Sequence, residues 1–271
     1  MQAKADRLGF IGAGNMAGAL IRGIVKSGLY SPEQLAASDL DRDKLAMLSE
    51  ETGVRQIESN LGLVRESTAV VLAVKPQVLK GVLEEIKEEA KEGRLFISIA
   101  AGIPLSTLTR ILGQEVPLIR VMPNTPALVG MGMSALAPGA KASEEQVEIA
   151  RGIFEAVGEA VVIDESMMNA ATAVSGSGPG YVFRIMEAMA AAGEALGFSK
   201  EEAVKLVVRT FLGAASLAAE SGKGLDELRE MVTSPGGTTQ AGLSVLESTG
   251  IQEIMRRTVE AAEKRASELG S

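Results

Sequence analysis

The sequence contains no cysteine, no histidine and no tryptophan. Without cysteine there is no disulfide and no thiolate nucleophile, and the redox compartment stays undecided. Without histidine the commonest general base and metal ligand is missing. A histidine-based hydrolase or a zinc enzyme is therefore excluded, and no metal site is expected. Positive charge is in deficit as well: 27 Lys and Arg stand against 35 Asp and Glu, a formal net charge of −8. With no dense basic run to offset this, nucleic acid and anionic membranes are not expected partners. No stretch reaches the ~18 uncharged apolar residues that a membrane span needs. The opening MQAKADRLGF lacks the apolar centre of a secretory signal. Low-complexity linkers and internal repeats are also missing. A cytoplasmic protein is the expectation.

What is present is 271 residues, 46% of them apolar. That is enough for one or two domains with a buried core and no covalent staples. The first part alternates between two periods. Residues 8–12, 35–39, 69–75, 95–101 and 118–122 read as short strands. AVVLAVK at 69–75 and LFISIAA at 95–101 are continuous apolar runs, the mark of strands covered on both faces. Helical spacing falls between them at 15–27, 42–51, 77–89, 105–112 and 144–157. A last strand is expected at 160–164. Such alternation implies right-handed crossovers and a mainly parallel sheet. Beyond residue 164 no strand is apparent in the pattern. Helices are expected at 181–196, 200–221, 225–232, 239–248 and 252–269. Gly197 suits a helix stop, and Ser199 with Glu202 forms a capping box. The chain therefore reads as α/β, with a dinucleotide-type domain over 1–164 and an all-α domain over 165–271. The helices of the second part carry small residues around much of their circumference, as in MEAMAAAGEALG. A helix apolar on most sides needs partners on most sides, so this part is expected to pack against a second copy of itself.

GFIGAGNMAGALI opens the first helix directly after the first strand. Gly12-Ala13-Gly14-Asn15-Met16-Ala17 fits the dinucleotide fingerprint in its required context. Gly12 allows the tight turn, and Gly14 lets a pyrophosphate approach the backbone. Ala17 lets helix and strand pack closely. The helix N–H groups then face the phosphates. Ile11 precedes the turn. Asp39 ends the second strand, 25 residues past Gly14, where an acid would accept ribose hydroxyls and favour NAD. Arg42 could instead reach a 2′-phosphate, so NADPH or NADH stays open. Ala73-Val74-Lys75-Pro76, Ile99-Ala100-Ala101-Gly102 and Met122-Pro123-Asn124-Thr125-Pro126 each end a strand with turn chemistry. Ligands of open α/β sheets gather at that edge.

Two stretches of the helical part are more than connectors. Ser175-Gly176-Ser177-Gly178-Pro179 and Thr233-Ser234-Pro235-Gly236-Gly237-Thr238-Thr239 both set hydroxyls and glycines before a helix. Successive N–H groups in such a loop form an anion nest with a helix dipole behind it. Helix capping explains one such loop, and two in one domain favour a small carboxylate ligand. Asp164 and Glu165 lie at the junction, where a carboxylate could hold positive charge on a substrate. Helix-start acids are the plain alternative.

Together GFIGAGNMAGALI, AVKPQ, VMPNTPALVG, VSGSGPGYVF and SPGGTTQAGLSVLE resemble the pyrroline-5-carboxylate reductase family, from residue 9 to about 247 and in the family's order. The resemblance implies a Rossmann domain followed by a helical domain that interlocks with its twin, and oligomers of such dimers. It implies NAD(P)H-dependent reduction of 1-pyrroline-5-carboxylate to proline. The substrate loop would comprise Ser234, Gly236, Gly237, Thr238 and Thr239, with Thr239 bonded to the ring nitrogen and orienting it for a solvent proton. Glu165 matches a family acid near the ring. Gly12 to Ala17, Asn60, Ala73 to Pro76 and Ile99 to Ala101 match cofactor contacts. Two positions depart. Many members carry Asn-Arg or serine turns suited to NADPH where Asp39 stands, and some carry a polar residue where Met231 stands.

Two other readings compete. A β-hydroxyacid dehydrogenase would use a lysine of the helical domain, and Lys200 and Lys205 are the nearest candidates, though neither lies in a suitable glycine-rich helix. A non-catalytic dinucleotide-binding regulatory dimer would have no need of the second carboxylate nest.

Overall fold

The continuous apolar runs form strands buried on both faces. The structure, a computed structural model, describes residues 5–91 and 93–270. Its first elements are β1 (Leu8–Ile11), α1 (Asn15–Ser27), β2 (Leu35–Ser38), α2 (Arg42–Thr52), β3 (Arg55–Gln56), α3 (Asn60–Glu66) and β4 (Ala69–Leu72). Next come α4 (Pro76–Ile86), β5 (Leu95–Ser98), α5 (Leu105–Leu112), β6 (Leu118–Met122), β7 (Gly132–Pro138), α6 (Glu144–Glu155) and β8 (Gly158–Val162). After these only helices follow: α7 (Met168–Ala171), a π turn (Thr172–Gly176), α8 (Gly178–Ala195), α9 (Lys200–Glu220), α10 (Leu225–Met231), α11 (Thr238–Ser248) and α12 (Ile251–Leu269).

One sheet runs in the order β3-β2-β1-β4-β5-β6-β7-β8. The first six strands are parallel, and β7 pairs antiparallel with β6. Alternate residues serve opposite faces. Leu8, Phe10, Val71 and Ile97 face the core built with α1, α2 and α6. Ile11, Val70, Leu72 and Phe96 face the core built with α3, α4 and α5. That two-sided demand is why these strands read as unbroken apolar runs.

The expected strands and long helices are all found, with boundaries shifted by a few residues. The last strand of the sheet begins at Gly158 and ends at Val162 rather than spanning 160–164. Elements not anticipated include β3, α3, β7, α7 and the π turn. The nine residues 123–131 between β6 and β7 are too few for a crossover, which needs a dozen or more. The chain therefore reverses and β7 is antiparallel.

The chain divides by packing into one unit, Met1–Ser177 with Ala262–Ser271, and a second, Gly178–Ala261. In the second unit, α8 and α9 meet through Ala190, Ala203 and Val207. Much of its apolar surface is left uncovered: Leu196 is 83% exposed and Phe183 59%. No helix among the described residues is long and apolar enough to cross a membrane.

Candidate functional site

Because β1, β2, β4, β5 and β6 are parallel, their carboxyl ends share one edge of the sheet. Gly12, Asp39, Ala73, Ile99 and Pro123 follow those ends directly. Gly12 has φ +100° and donates its N–H to the Ser38 carbonyl at 2.8 Å. A Cβ there would lie 2.7 Å from the Ala73 carbonyl oxygen, so glycine is required both by dihedral and by approach. Ile11 and Ala13 are buried, Gly14 and Met16 half-buried, and Asn15 exposed. Gly14 is the N-cap of α1, with no capping side chain and no acid in the first turn. A Cβ at Gly14 would meet nothing within 4 Å. The start of α1 therefore presents backbone donors to open space, which fits the pyrophosphate of a dinucleotide. A cleft of about 440 Å³ adjoins it, with Ala13, Gly14 and Asn15 on one side and Lys44 and Met47 on the other.

Asp39 closes the cradle. Its Oδ2 accepts the Ala13 N–H at 2.6 Å, and its Oδ1 accepts the Asp41 N–H at 2.9 Å. Arg42 is exposed and donates to the Glu58 carbonyl at 2.8 Å. Asn60 starts α3, accepts the Ser38 hydroxyl at 2.9 Å and donates to Glu85 at 2.8 Å. Along the same edge, Ala73 and Val74 lead to the extended Lys75, which is the N-cap of α4 with Pro76 behind it. Ile99 and Ala100 pass into a turn at Ala101 and Gly102, where φ is +77°.

Asn124 and Ser175 are brought together. The Asn124 amide donates to the Ser175 carbonyl at 3.2 Å and to its hydroxyl at 3.3 Å, and its oxygen accepts the Met133 N–H at 2.9 Å. The end of β6, the start of β7 and the π turn are thereby fastened together. Ser177 closes that turn, its N–H donating to the Thr172 carbonyl at 2.8 Å. π turns are rare and recur at functional positions.

Glu165 faces the packing of its own unit. Its Oε1 accepts the Leu105 N–H at 2.6 Å, at the start of α5, and pairs with Arg120 at 3.4 Å. Arg120 is buried. Burial draws its guanidinium below the ordinary arginine range, and Glu165 opposes that shift. Arg120 carried no site assignment from its sequence context, because a cation inside an apolar strand has no local partner to announce it.

In the second unit, Ser234, Gly236, Gly237, Thr238 and Thr239 form the turn into α11. Gly236 has φ +72°, and Gly237 is the N-cap without a capping side chain. A Cβ at Gly237 would strike the Ser234 hydroxyl. The Ser234 and Thr239 hydroxyls have no hydrogen-bond partner among the described residues. The Gly236 N–H is taken by the Gln240 side-chain oxygen at 2.6 Å, a contact that sequence reasoning missed. Lys200 and Lys205 are both exposed on α9. The Met231 sulfur receives the Lys223 ammonium at 3.1 Å. The Tyr181 hydroxyl is enclosed with no partner among the described residues.

The sequence model for pyrroline-5-carboxylate reductase dimerisation matches residues 165–269, which include the Ser234–Thr239 turn. A pyrroline-5-carboxylate reductase of Methanosarcina acetivorans is 44% identical over 98% of this chain and 98% of its own. The chain belongs to the pyrroline-5-carboxylate reductase family.

Solved structures of the pyrroline-5-carboxylate reductase family agree. The protein of Coxiella burnetii superposes with a TM-score of 0.95 at 38% identity, over 98% of this chain and 99% of that one. That of Plasmodium falciparum, solved with NADP bound, gives 0.86 at 32% identity, covering 98% of each chain. Residues 7–102, which hold the cradle, also match a model described as NADP oxidoreductase coenzyme F420-dependent. The chain is thus an NAD(P)-dependent oxidoreductase whose helical part is a dimerisation domain of the pyrroline-5-carboxylate reductase type.

Proposed function

We propose that this chain reduces 1-pyrroline-5-carboxylate to L-proline with NAD(P)H. The observation that carries the reading is the joint presence of an open, uncapped dinucleotide cradle at Gly12–Ala17 and the Ser234–Thr239 turn, in a chain of this family. When bound, NAD(P)H supplies the hydride that C5 of the imine accepts while a proton joins the ring nitrogen, leaving NAD(P)+ and a secondary amine. The residues of the chain have simpler tasks. Gly12, Ala13, Gly14 and the first turn of α1 hold phosphates through backbone donors. Ala73 to Pro76 and Ile99 to Ala101 line the same sheet edge, and the small residues Ala100, Ala101 and Gly102 let a flat ring lie close. Backbone N–H groups of the Ser234–Thr239 turn and the Ser234 hydroxyl hold the substrate carboxylate, and the free Thr239 hydroxyl orients the ring nitrogen for a solvent proton.

An iminium is already a good hydride acceptor, so positioning and the exclusion of water are what the chain must provide. No histidine or cysteine is required for that. The hydroxyacid dehydrogenase reading has less support, since neither Lys200 nor Lys205 lies in a glycine-rich helix. The uncovered apolar surface of the second unit is the dimer surface, and we assign assemblies of such dimers to the same protein. A reduced dinucleotide is consumed as a free reactant inside the cell, and the net charge of −8 disfavours nucleic acid, so the assignment is cytoplasmic and without nucleic-acid partners.

The test is oxidation of reduced cofactor by the purified chain with pyrroline-5-carboxylate, with L-proline quantified as product. Stoichiometric proline supports the reading. Clear cofactor binding with no oxidation of NADH or NADPH would sink it and favour a sensor.

A further inference from the structure

The carboxyl end of β2 is arranged around negative charge. Both Asp39 carboxylate oxygens are pinned by backbone donors, Oδ2 by Ala13 in the cradle at 2.6 Å and Oδ1 by Asp41 at 2.9 Å. The group is therefore fixed against the phosphate loop. Each oxygen keeps a second lone pair, so the pinned carboxylate can still accept two hydroxyl protons from a cis-diol. It has no proton to give a phosphate, and its charge would oppose one at short range. Of the neighbouring donors, Lys44 lines the adjoining cleft, and the others are turned elsewhere. Arg42 is turned toward the segment before α3, where one of its N–H groups donates to the Glu58 carbonyl at 2.8 Å. The Asn60 amide N–H, the other donor linked to this strand end, is turned onto the Glu85 carboxylate at 2.8 Å. Arg22 is held by two bonds to Glu51, both 2.7 Å.

Resting on the reductase reading, we infer that this chain is built for NADH, with Asp39 as the residue that sets the preference. Asp39 receives the 2′ and 3′ hydroxyls of the adenosine ribose and turns away a 2′-phosphate. Arg42, a candidate for that phosphate from the sequence, serves instead to tie the start of α2 to the segment before α3.

Initial rates with pyrroline-5-carboxylate, measured on the full chain with each cofactor, test this. The expected kcat/KM favours NADH by at least about tenfold, the least that an opposed like charge should exact. Asp39→Ser is expected to raise kcat/KM for NADPH and lower it for NADH. Equal or better use of NADPH by the unaltered chain overturns the inference. So does a ratio that Asp39→Ser leaves where it was. A competition experiment avoids dependence on a variant that loses two backbone contacts. Bound NADH is displaced, by its fluorescence, with 5′-AMP or with adenosine 2′,5′-bisphosphate. The 5′-AMP should act at the lower concentration, and the reverse order overturns the inference. The same experiment separates the two readings. A chain showing the expected order but no turnover of pyrroline-5-carboxylate loses the reductase reading and keeps this one.

Discussion

The Gln240 side-chain oxygen accepts the Gly236 N–H at 2.6 Å. It occupies a donor assigned above to the substrate carboxylate. A ligand must displace it, and an internal hydrogen bond of this kind is worth about 1 kcal/mol net. Gln240→Ala should therefore lower KM for pyrroline-5-carboxylate by about fivefold with kcat little changed. Initial-rate kinetics decide it. A raised KM would mean that Gln240 binds the substrate itself.

Thr239 presents a hydroxyl with no partner among the described residues. If it orients the ring nitrogen, Thr239→Ala should lower kcat by about ten- to hundredfold and leave NADH binding unchanged. Thr239→Ser should keep most of the rate. Equal turnover in Thr239→Ala would remove this residue from the mechanism.

Glu165 separates two roles cleanly. Its carboxylate caps α5 at Leu105 and pairs with the buried Arg120. Removing one partner of such a pair leaves a buried charge unmatched. The carboxylate is one-third exposed, which moderates the loss, and Glu165→Ala should cost about 2 kcal/mol in urea unfolding. Glu165→Gln, which keeps an acceptor for Leu105, should cost less. Unchanged stability with a large rise in substrate KM would show instead that the acid meets the substrate.

Tyr30 gives a signature at high pH. Its phenol is buried and accepts the Ala5 N–H at 2.8 Å. Burial pushes its ionisation above the ordinary tyrosine range, with the Ala5 bond opposing. The unfolded chain therefore releases this proton first, so stability is full below the ordinary range and falls as pH rises through it. Unfolding free energies measured between about pH 9 and 11 should decline, and the decline should be shallower in Tyr30→Phe. An equal slope in both would assign the alkaline loss to other groups.

The strands with continuous apolar runs were legible because burial on both faces marks every residue along them. The cradle and the Ser234–Thr239 turn were legible because glycine and hydroxyl requirements are local. β7 was not, since four of the seven residues of Gly132–Pro138 are Gly, Ser or Ala and blur its apolar pattern, and its reversal follows from the shortness of the preceding connection. α3 has seven residues, too few for a helical period to show. The site contacts that escaped are those spanning long stretches of chain. Asn124 reaches Ser175 across 51 positions, and Leu105 reaches Glu165 across 60. Such pairs leave no periodic trace, and each partner alone reads as a cap or a turn.

Gly12 meets the Ala73 carbonyl so closely that a Cβ would come within 2.7 Å. The two loops are thereby gauged against one another like the jaws of a caliper. Neither can be resized alone: Gly12→Ala would act as a wedge, displacing the Ala73–Pro76 loop along with the phosphate cradle, so that one added methyl group would misalign two parts of the cofactor path together.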